Sequence, residues 1–127
     1  MTESHYLAVW EFHVRAECVS DFETIYGPGG LWIQLFRRSS LYLGTELVRD
    51  LERAGRYLTI DRWTSREALR HFKQQFVAEY AALDQACERL TESETLVGDF
   101  ESGGHNNLPT DLSTNPRHFE GFGESRR

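Results

Sequence analysis

The stretch RYLTIDRWTSREALRHFKQQFVAEYAALDQACERL, Arg56 to Leu90, decides the fold. Its first eight residues have strand character, with Thr59, Asp61 and Trp63 sharing one parity and Leu58, Ile60 and Arg62 the other. Thr64 followed by Glu67 forms a capping-box pattern, in which each side chain satisfies the other residue's backbone donor, so a helix is expected to begin there. Beyond it Leu69, Phe72, Phe76, Tyr80, Leu83, Cys87 and Leu90 recur at helical spacing. At 100° per residue they fall within an arc of roughly 80°, with His71 on the opposite side. The expectation is a strand feeding one long amphipathic helix.

Working outward, Tyr42 to Arg49 reads as another strand, joined antiparallel to the first by a hairpin loop at Asp50 to Gly55. From Tyr6 to Val14 the residues alternate, with Ala8, Trp10, Phe12 and Val14 on one face and Leu7, Val9, Glu11 and His13 on the other. Ser20 and Glu23 make a second capping-box pattern, opening a helix that carries Phe22, Ile25 and Tyr26 inward. Gly27, Pro28, Gly29 and Gly30 break that helix, which resumes through Leu31, Trp32, Leu35 and Phe36 and ends near Arg37 and Arg38. A last strand from about Glu94 to Glu101 places Leu96, Gly98 and Phe100 together on one face.

The order β, α, β, β, α, β, with right-handed connections, gives an α+β, ferredoxin-like split βαβ domain with an antiparallel sheet. It spans residues 1 to 101, and 102 to 127 read as an irregular polar tail in which Phe119 and Phe122 offer anchoring points.

Composition narrows the function classes. A chain of 127 residues, 39% hydrophobic and 27% charged, suits one globular domain. The net charge of −6 gives no general attraction to nucleic acid or anionic lipid. No apolar run approaches a membrane span and no signal-peptide pattern opens the chain, so a cytoplasmic protein is expected. Cys18 and Cys87 fit no zinc or disulfide spacing, and Cys87, on the apolar stripe, reads as a buried, inert thiol.

With helices on one sheet face, the other still needs a cover. Leu7, Val9, Leu58 and Ile60 form a patch there that a monomer rarely exposes, so a two-fold homodimer through the sheet face is expected.

These features resemble the antibiotic biosynthesis monooxygenase domain family, whose members are dimeric α+β barrels. The likeness runs from about residue 5 to 101. It rests on Val9-Trp10-Glu11-Phe12-His13-Val14, on Tyr42-Leu43-Gly44-Thr45-Glu46-Leu47 with Arg49-Asp50, and on Tyr57-Leu58-Thr59-Ile60-Asp61-Arg62-Trp63 leading into Ser65-Arg66-Glu67-Ala68. Gly98-Asp99-Phe100-Glu101 completes it. The resemblance implies a pocket between sheet and helices for an aromatic or polyketide-type molecule, oxidised with O2 without metal or flavin. A related branch binds and degrades haem. Trp63 matches the third-strand tryptophan of both. Thr59, Leu69 and Leu83 stand where the quinone-forming enzymes carry asparagine, tyrosine and arginine. In the haem branch the first-strand asparagine falls near Trp10 and the helix histidine near Lys73.

The candidate site is therefore Asp61 and Trp63 as catalytic residues, with Trp10, Phe12, Thr59, Phe72 and Phe76 lining a cavity for a small apolar or aromatic molecule. Asp61, if buried among apolar groups, suits a general base towards a phenolic or enolic proton, and pairing with an arginine is its structural alternative. Trp63 either stacks on the ligand or plugs the strand end. Glu11 and His13 project on the same side of a strand at a spacing compatible with metal ligation, but no third ligand is visible. Arg62 is the expected partner of Glu11, so no metal and no cofactor are assigned. The competing class is a non-catalytic binding or interaction module.

Overall fold

The computed structural model describes residues 4–103. Four strands run His5–Val14 (β1), Tyr42–Arg49 (β2), Arg56–Trp63 (β3) and Thr91–Ser102 (β4). Four helices run Val19–Tyr26 (α1), Leu31–Phe36 (α2), Arg66–Gln75 (α3) and Val77–Cys87 (α4), with short 3-10 turns leading into α1 and β4. The expected tail from 104 onward, with Phe119 and Phe122, lies outside the described residues.

The sheet is antiparallel throughout, in the order β2-β3-β1-β4. The neighbours β2 and β3 are joined by a hairpin, whereas the helical connections from β1 to β2 and from β3 to β4 each cross over an intervening strand, which makes the domain ferredoxin-like. The helices cover one face, because Ala8, Trp10, Phe12 and Val14 of β1 and Tyr57, Thr59, Asp61 and Trp63 of β3 are all buried, and the apolar ones among them except Ala8 share a core with Phe22, Tyr26, Trp32, Phe36 and Phe72. The β2–β3 hairpin closes at Gly55, which has φ +86° and would place a Cβ 2.9 Å from the Val14 carbonyl oxygen. Only glycine fits both constraints.

Helix starts differ from the capping patterns. At α3 the cap is Ser65, whose hydroxyl accepts from the Ala68 backbone N–H at 3.0 Å. Thr64 lies one residue outside the cap, with its N–H donating to the Leu41 carbonyl just before β2 at 3.0 Å. At α1 the chain enters through the turn Ala16–Cys18, which leaves Ser20 inside the first helical turn with no capping role. Glu23 instead accepts a hydrogen bond from the Tyr57 hydroxyl.

The expected single long helix is two. Phe76 leaves helical geometry at φ −113° and ψ 37°, separating α3 from α4. The apolar stripe continues through this break, with Phe72, Tyr80, Cys87 and Leu90 buried, which is why its periodicity reads as uninterrupted. The helix break between α1 and α2 falls where the glycines place it. A Cβ on Gly30 would lie 2.3 Å from the Ile25 carbonyl oxygen, so the two helices can approach only over a bare backbone there.

The last strand also departs from simple alternation. Val9 pairs with Gly98 but Trp10 with Leu96, so Val97 is an extra, bulged residue. The bulge puts Leu96 against the core and leaves Phe100, across from Leu7, on the far face. Leu96 and Phe100 are therefore on opposite faces, not one.

That far face carries Leu7, Val9, Leu58 and Ile60, all half-buried, together with Phe100 at 44% exposure. Val9 lies directly across from Ile60. At one end Glu11 accepts from Arg56 at 2.6 Å and approaches His13 at 3.2 Å, while Arg56 also meets Asp50 at 3.0 Å. Arg62 is across from Leu7 at the other end of the strand, so the partner of Glu11 is Arg56 and not Arg62. Among the described residues no group of three or more His, Cys, Asp or Glu is placed to hold a metal, and no helix is long and apolar enough to cross a membrane.

Candidate functional site

The end of β3 positions the central residues. Period-two alternation puts Thr59, Asp61 and Trp63 under the helices, and all three are buried, Asp61 at 4% and Trp63 at 0% exposure. Thr59 faces Trp10 across the β1–β3 pair. Trp63 is walled by three rings, with centroids at 5.2 Å for Tyr42, 5.3 Å for Phe72 and 5.4 Å for Phe36. Its indole N–H is buried and has no acceptor among the described residues. Such a donor costs about 1–3 kcal/mol unless water or a ligand oxygen satisfies it.

Of the other expected lining residues, Phe72 and Phe76 meet with their rings tilted and centroids 4.9 Å apart, and Phe72 reaches Trp63. Phe12 belongs to the far end of the core, against Phe22 at 5.3 Å and Tyr26 at 5.0 Å. These aromatic side chains fill the space between sheet and helices.

Asp61 is paired with a hydroxyl. Thr45 Oγ1 donates to Asp61 Oδ1 at 2.8 Å, and Tyr42 Oη lies 2.5 Å from Thr45 Oγ1. A threonine hydroxyl has one hydrogen, and Thr45 has given it to Asp61, so Tyr42 is the donor to Thr45. This orders the chain as Tyr42 to Thr45 to Asp61. Burial pushes the Tyr42 phenol up to about 12, and the Asp61 charge adds to that while the Thr45 hydrogen bond and Arg37 oppose it. Tyr42 is thus a neutral hydroxyl near pH 7.

Tyr42 and Thr45 share a face only because β2 is bulged. Tyr42 pairs with Trp63, but Gly44 pairs with Arg62, which leaves Leu43 as the extra residue. Gly44 takes φ +140°, a value side chains rarely permit. Sequence reasoning missed Tyr42 and Thr45 for this reason. The available signal was a glycine inside a strand, a mark of a bulge.

Tyr42 and Thr45 line a cleft of about 340 Å³ whose walls include Pro28, Ile33, Arg37 and Leu43. It opens beside the turn between α1 and α2. Arg37 is exposed and forms no ion pair among the described residues.

A second cleft of about 560 Å³ lies at the N-terminus of α3, bounded by Tyr6, Ser65, Arg66, Asp99, Phe100 and Glu101. There Asp99 accepts from Tyr6 Oη at 3.0 Å and from Arg66 at 2.8 Å. Burial, reinforced by Asp99, pushes the Tyr6 phenol up to about 12. This network satisfies its own charges.

The remaining candidates lie elsewhere. His71 is exposed on the solvent side of α3. Cys87 is buried and its thiol is pushed up by that burial, which keeps it protonated and unreactive.

Comparison with known proteins places these observations. Comparison with curated proteins returned no match. Among solved structures, a variant of SnoaB, a cofactor-independent oxygenase from Streptomyces nogalater, matches with a TM-score of 0.58 at 20% identity, over 83% of this chain and 97% of that one. A candidate antibiotic biosynthesis monooxygenase from Nitrosomonas europaea matches at 0.61 and 12% identity, over 81% and 92%. Rv0793 from Mycobacterium tuberculosis matches at 0.56 and 14%, over 79% and 92%. At these identities the likeness is one of fold. The family model described as antibiotic biosynthesis monooxygenase matches residues 6–84, from the first residues of β1 into α4. Sheet order, helix placement and this sequence match agree, and the chain belongs to the antibiotic biosynthesis monooxygenase family.

Proposed function

We propose that this protein binds a small aromatic or polyketide-type molecule and oxidises it with O2 as a cofactor-independent monooxygenase, with Asp61 as the acceptor of the substrate's proton. The observation that carries this reading is a carboxylate at 4% exposure on the same strand face as a fully buried indole N–H that lacks an acceptor among the described residues. Buried polar groups ordinarily find partners inside the protein, and sites of binding or chemistry are where they do not.

In this reaction the substrate is a carbon acid activated by a phenolic or enolic oxygen. Loss of one proton to Asp61 gives an electron-rich anion, which forms a C–O bond with O2 and, on taking that proton back from Asp61, becomes a hydroperoxide. Elimination of water then breaks the O–O bond and the remaining C–H bond, leaving a carbonyl. One oxygen atom stays in the product and the other leaves as water, with the substrate supplying the electrons. Trp63 and the surrounding rings of Phe36, Tyr42 and Phe72 form the rigid wall behind the reacting ring, with Phe76 packed against Phe72.

Oxygen-electrode assays on a panel of phenolic and quinol-type compounds test the reading. One O2 consumed per carbonyl formed, and at least about a hundredfold slower uptake in Asp61→Asn, is the expected range for loss of a general base. No uptake with any member of the panel would reject the activity.

The packing of Phe12, Phe72 and Trp63 into the space beneath the helices favours, as second reading, a non-catalytic binding module. It is distinguished by ligand binding without O2 consumption. Haem is the third reading from the family. His71 points away from the core and supplies no axial ligand there, so haem titration is expected to give no ligated Soret band.

Family members commonly pair as dimers. The half-buried Leu7, Val9, Leu58 and Ile60 support a homodimer formed through the far sheet face.

A further inference from the structure

We infer that the ligand sits in the cleft beside Tyr42 and Arg37, and that its proton reaches Asp61 through the hydroxyls of Tyr42 and Thr45. The inference rests on the monooxygenase reading for its chemistry but on its own geometry for the site. Asp61 does not line the cleft, whereas Tyr42 and Thr45 do, and the two hydroxyls bridge the gap with contacts of 2.5 and 2.8 Å. Because Tyr42 donates to Thr45 and Thr45 to Asp61, Tyr42 Oη retains lone pairs able to accept from a ligand O–H.

The transfer balances. A ligand O–H gives its proton to Tyr42 Oη as Tyr42 passes its own to Thr45 Oγ1 and Thr45 passes its own to Asp61 Oδ1. The ligand becomes an anion, Asp61 becomes neutral, and the two hydroxyls end as hydroxyls with their hydrogen bonds reversed. Nothing is oxidised in this step. The ligand class follows from the walls. The cleft of about 340 Å³ is at the small end of ligand sites, Ile33, Leu43 and Pro28 supply apolar contact, and Arg37 offers an exposed guanidinium to the oxygen that becomes negative. A phenol or enol of one or two rings meets these terms.

The bulge at Leu43 and Gly44 is what assembles the device. Without it Thr45 would face away from Asp61. Three adjacent strand features, the bulge, the Thr45–Asp61 contact and the Tyr42 position at the cleft wall, thereby act as one unit.

The probe is 4-nitrophenol, whose phenolate has its own visible band, added to the full chain at pH 7. NMR is expected to show shifts centred on Ile33, Arg37, Tyr42 and Thr45. The bound phenolate-to-phenol ratio is expected to be about tenfold higher in the wild type than in Tyr42→Phe or Thr45→Val, both of which keep the side chain's shape. Arg37→Ala weakens binding and leaves the variant fold intact. Shifts at another cleft, no binding at all, or an equal phenolate fraction in the wild type and both hydroxyl variants would overturn the inference. The O2 assay is separate. If Asp61→Asn abolishes uptake while Tyr42→Phe and Thr45→Val do not, the activity stands and the relay falls. If no uptake occurs but the probe ionises as expected, the relay stands and the monooxygenase reading falls.

Discussion

Tyr42 and Thr45, three residues apart in one strand, lie on the same face with their hydroxyls 2.5 Å apart. Regular alternation would place them on opposite faces. The bulge between them converts a tyrosine at the cleft wall and a threonine beside Asp61 into a continuous path.

Gly44→Ala should destabilise the domain by about 1–3 kcal/mol, the cost of a side chain at an unsuitable backbone angle. No atom lies within 4 Å of the position a Cβ would take, so the loss is conformational and not a clash. Urea unfolding measures it. A neutral effect would mean the bulge relaxes freely.

Phenol titration followed by ultraviolet absorbance should contain a late phase near pH 12, and Tyr42→Phe should remove part of it, Tyr6 supplying another part. Folding raises the Tyr42 value from 10.0, so the associated stability is fully present below pH 10 and is lost as pH rises towards about 12. The wild type should therefore lose more stability over that window than Tyr42→Phe.

Phe72→Ala should cost about 3–5 kcal/mol by leaving a cavity beside Trp63, Phe36 and Phe76. Tryptophan fluorescence should shift to longer wavelength as water reaches that space. An unchanged spectrum together with unchanged stability would contradict the packing described.

Ile60→Glu, placing charge directly across from Val9 on the far sheet face, should convert a dimer to a monomer. Light scattering coupled to gel filtration reads the mass. A wild type that is monomeric at working concentrations would reject pairing through this face.

Much of the fold was legible because Tyr6 to Val14 and Arg56 to Trp63 alternate cleanly, and the Gly27 to Gly30 run marks its own helix break. What escaped was local. Thr64 resembles a cap in sequence but is tied to Leu41, and only the tertiary hydrogen bond shows that Ser65 takes the role. Bulges at Val97 and Leu43 each reverse the parity on which face assignments depend. Asp61 and Trp63 could be singled out from strand parity, whereas Tyr42 and Thr45 became visible only once the Leu43 bulge was seen. Thr45 donates to Asp61 because β2 pairs Thr45 directly across from Asp61.

The most direct measurement is mass spectrometry of product formed under 18O2 by the wild type and by Asp61→Asn, using a phenolic carbon acid that the wild type turns over. The account predicts one 18O atom in the new carbonyl and at least about a hundredfold less product from the variant. Product free of label, or equal yields from the two proteins, would contradict it.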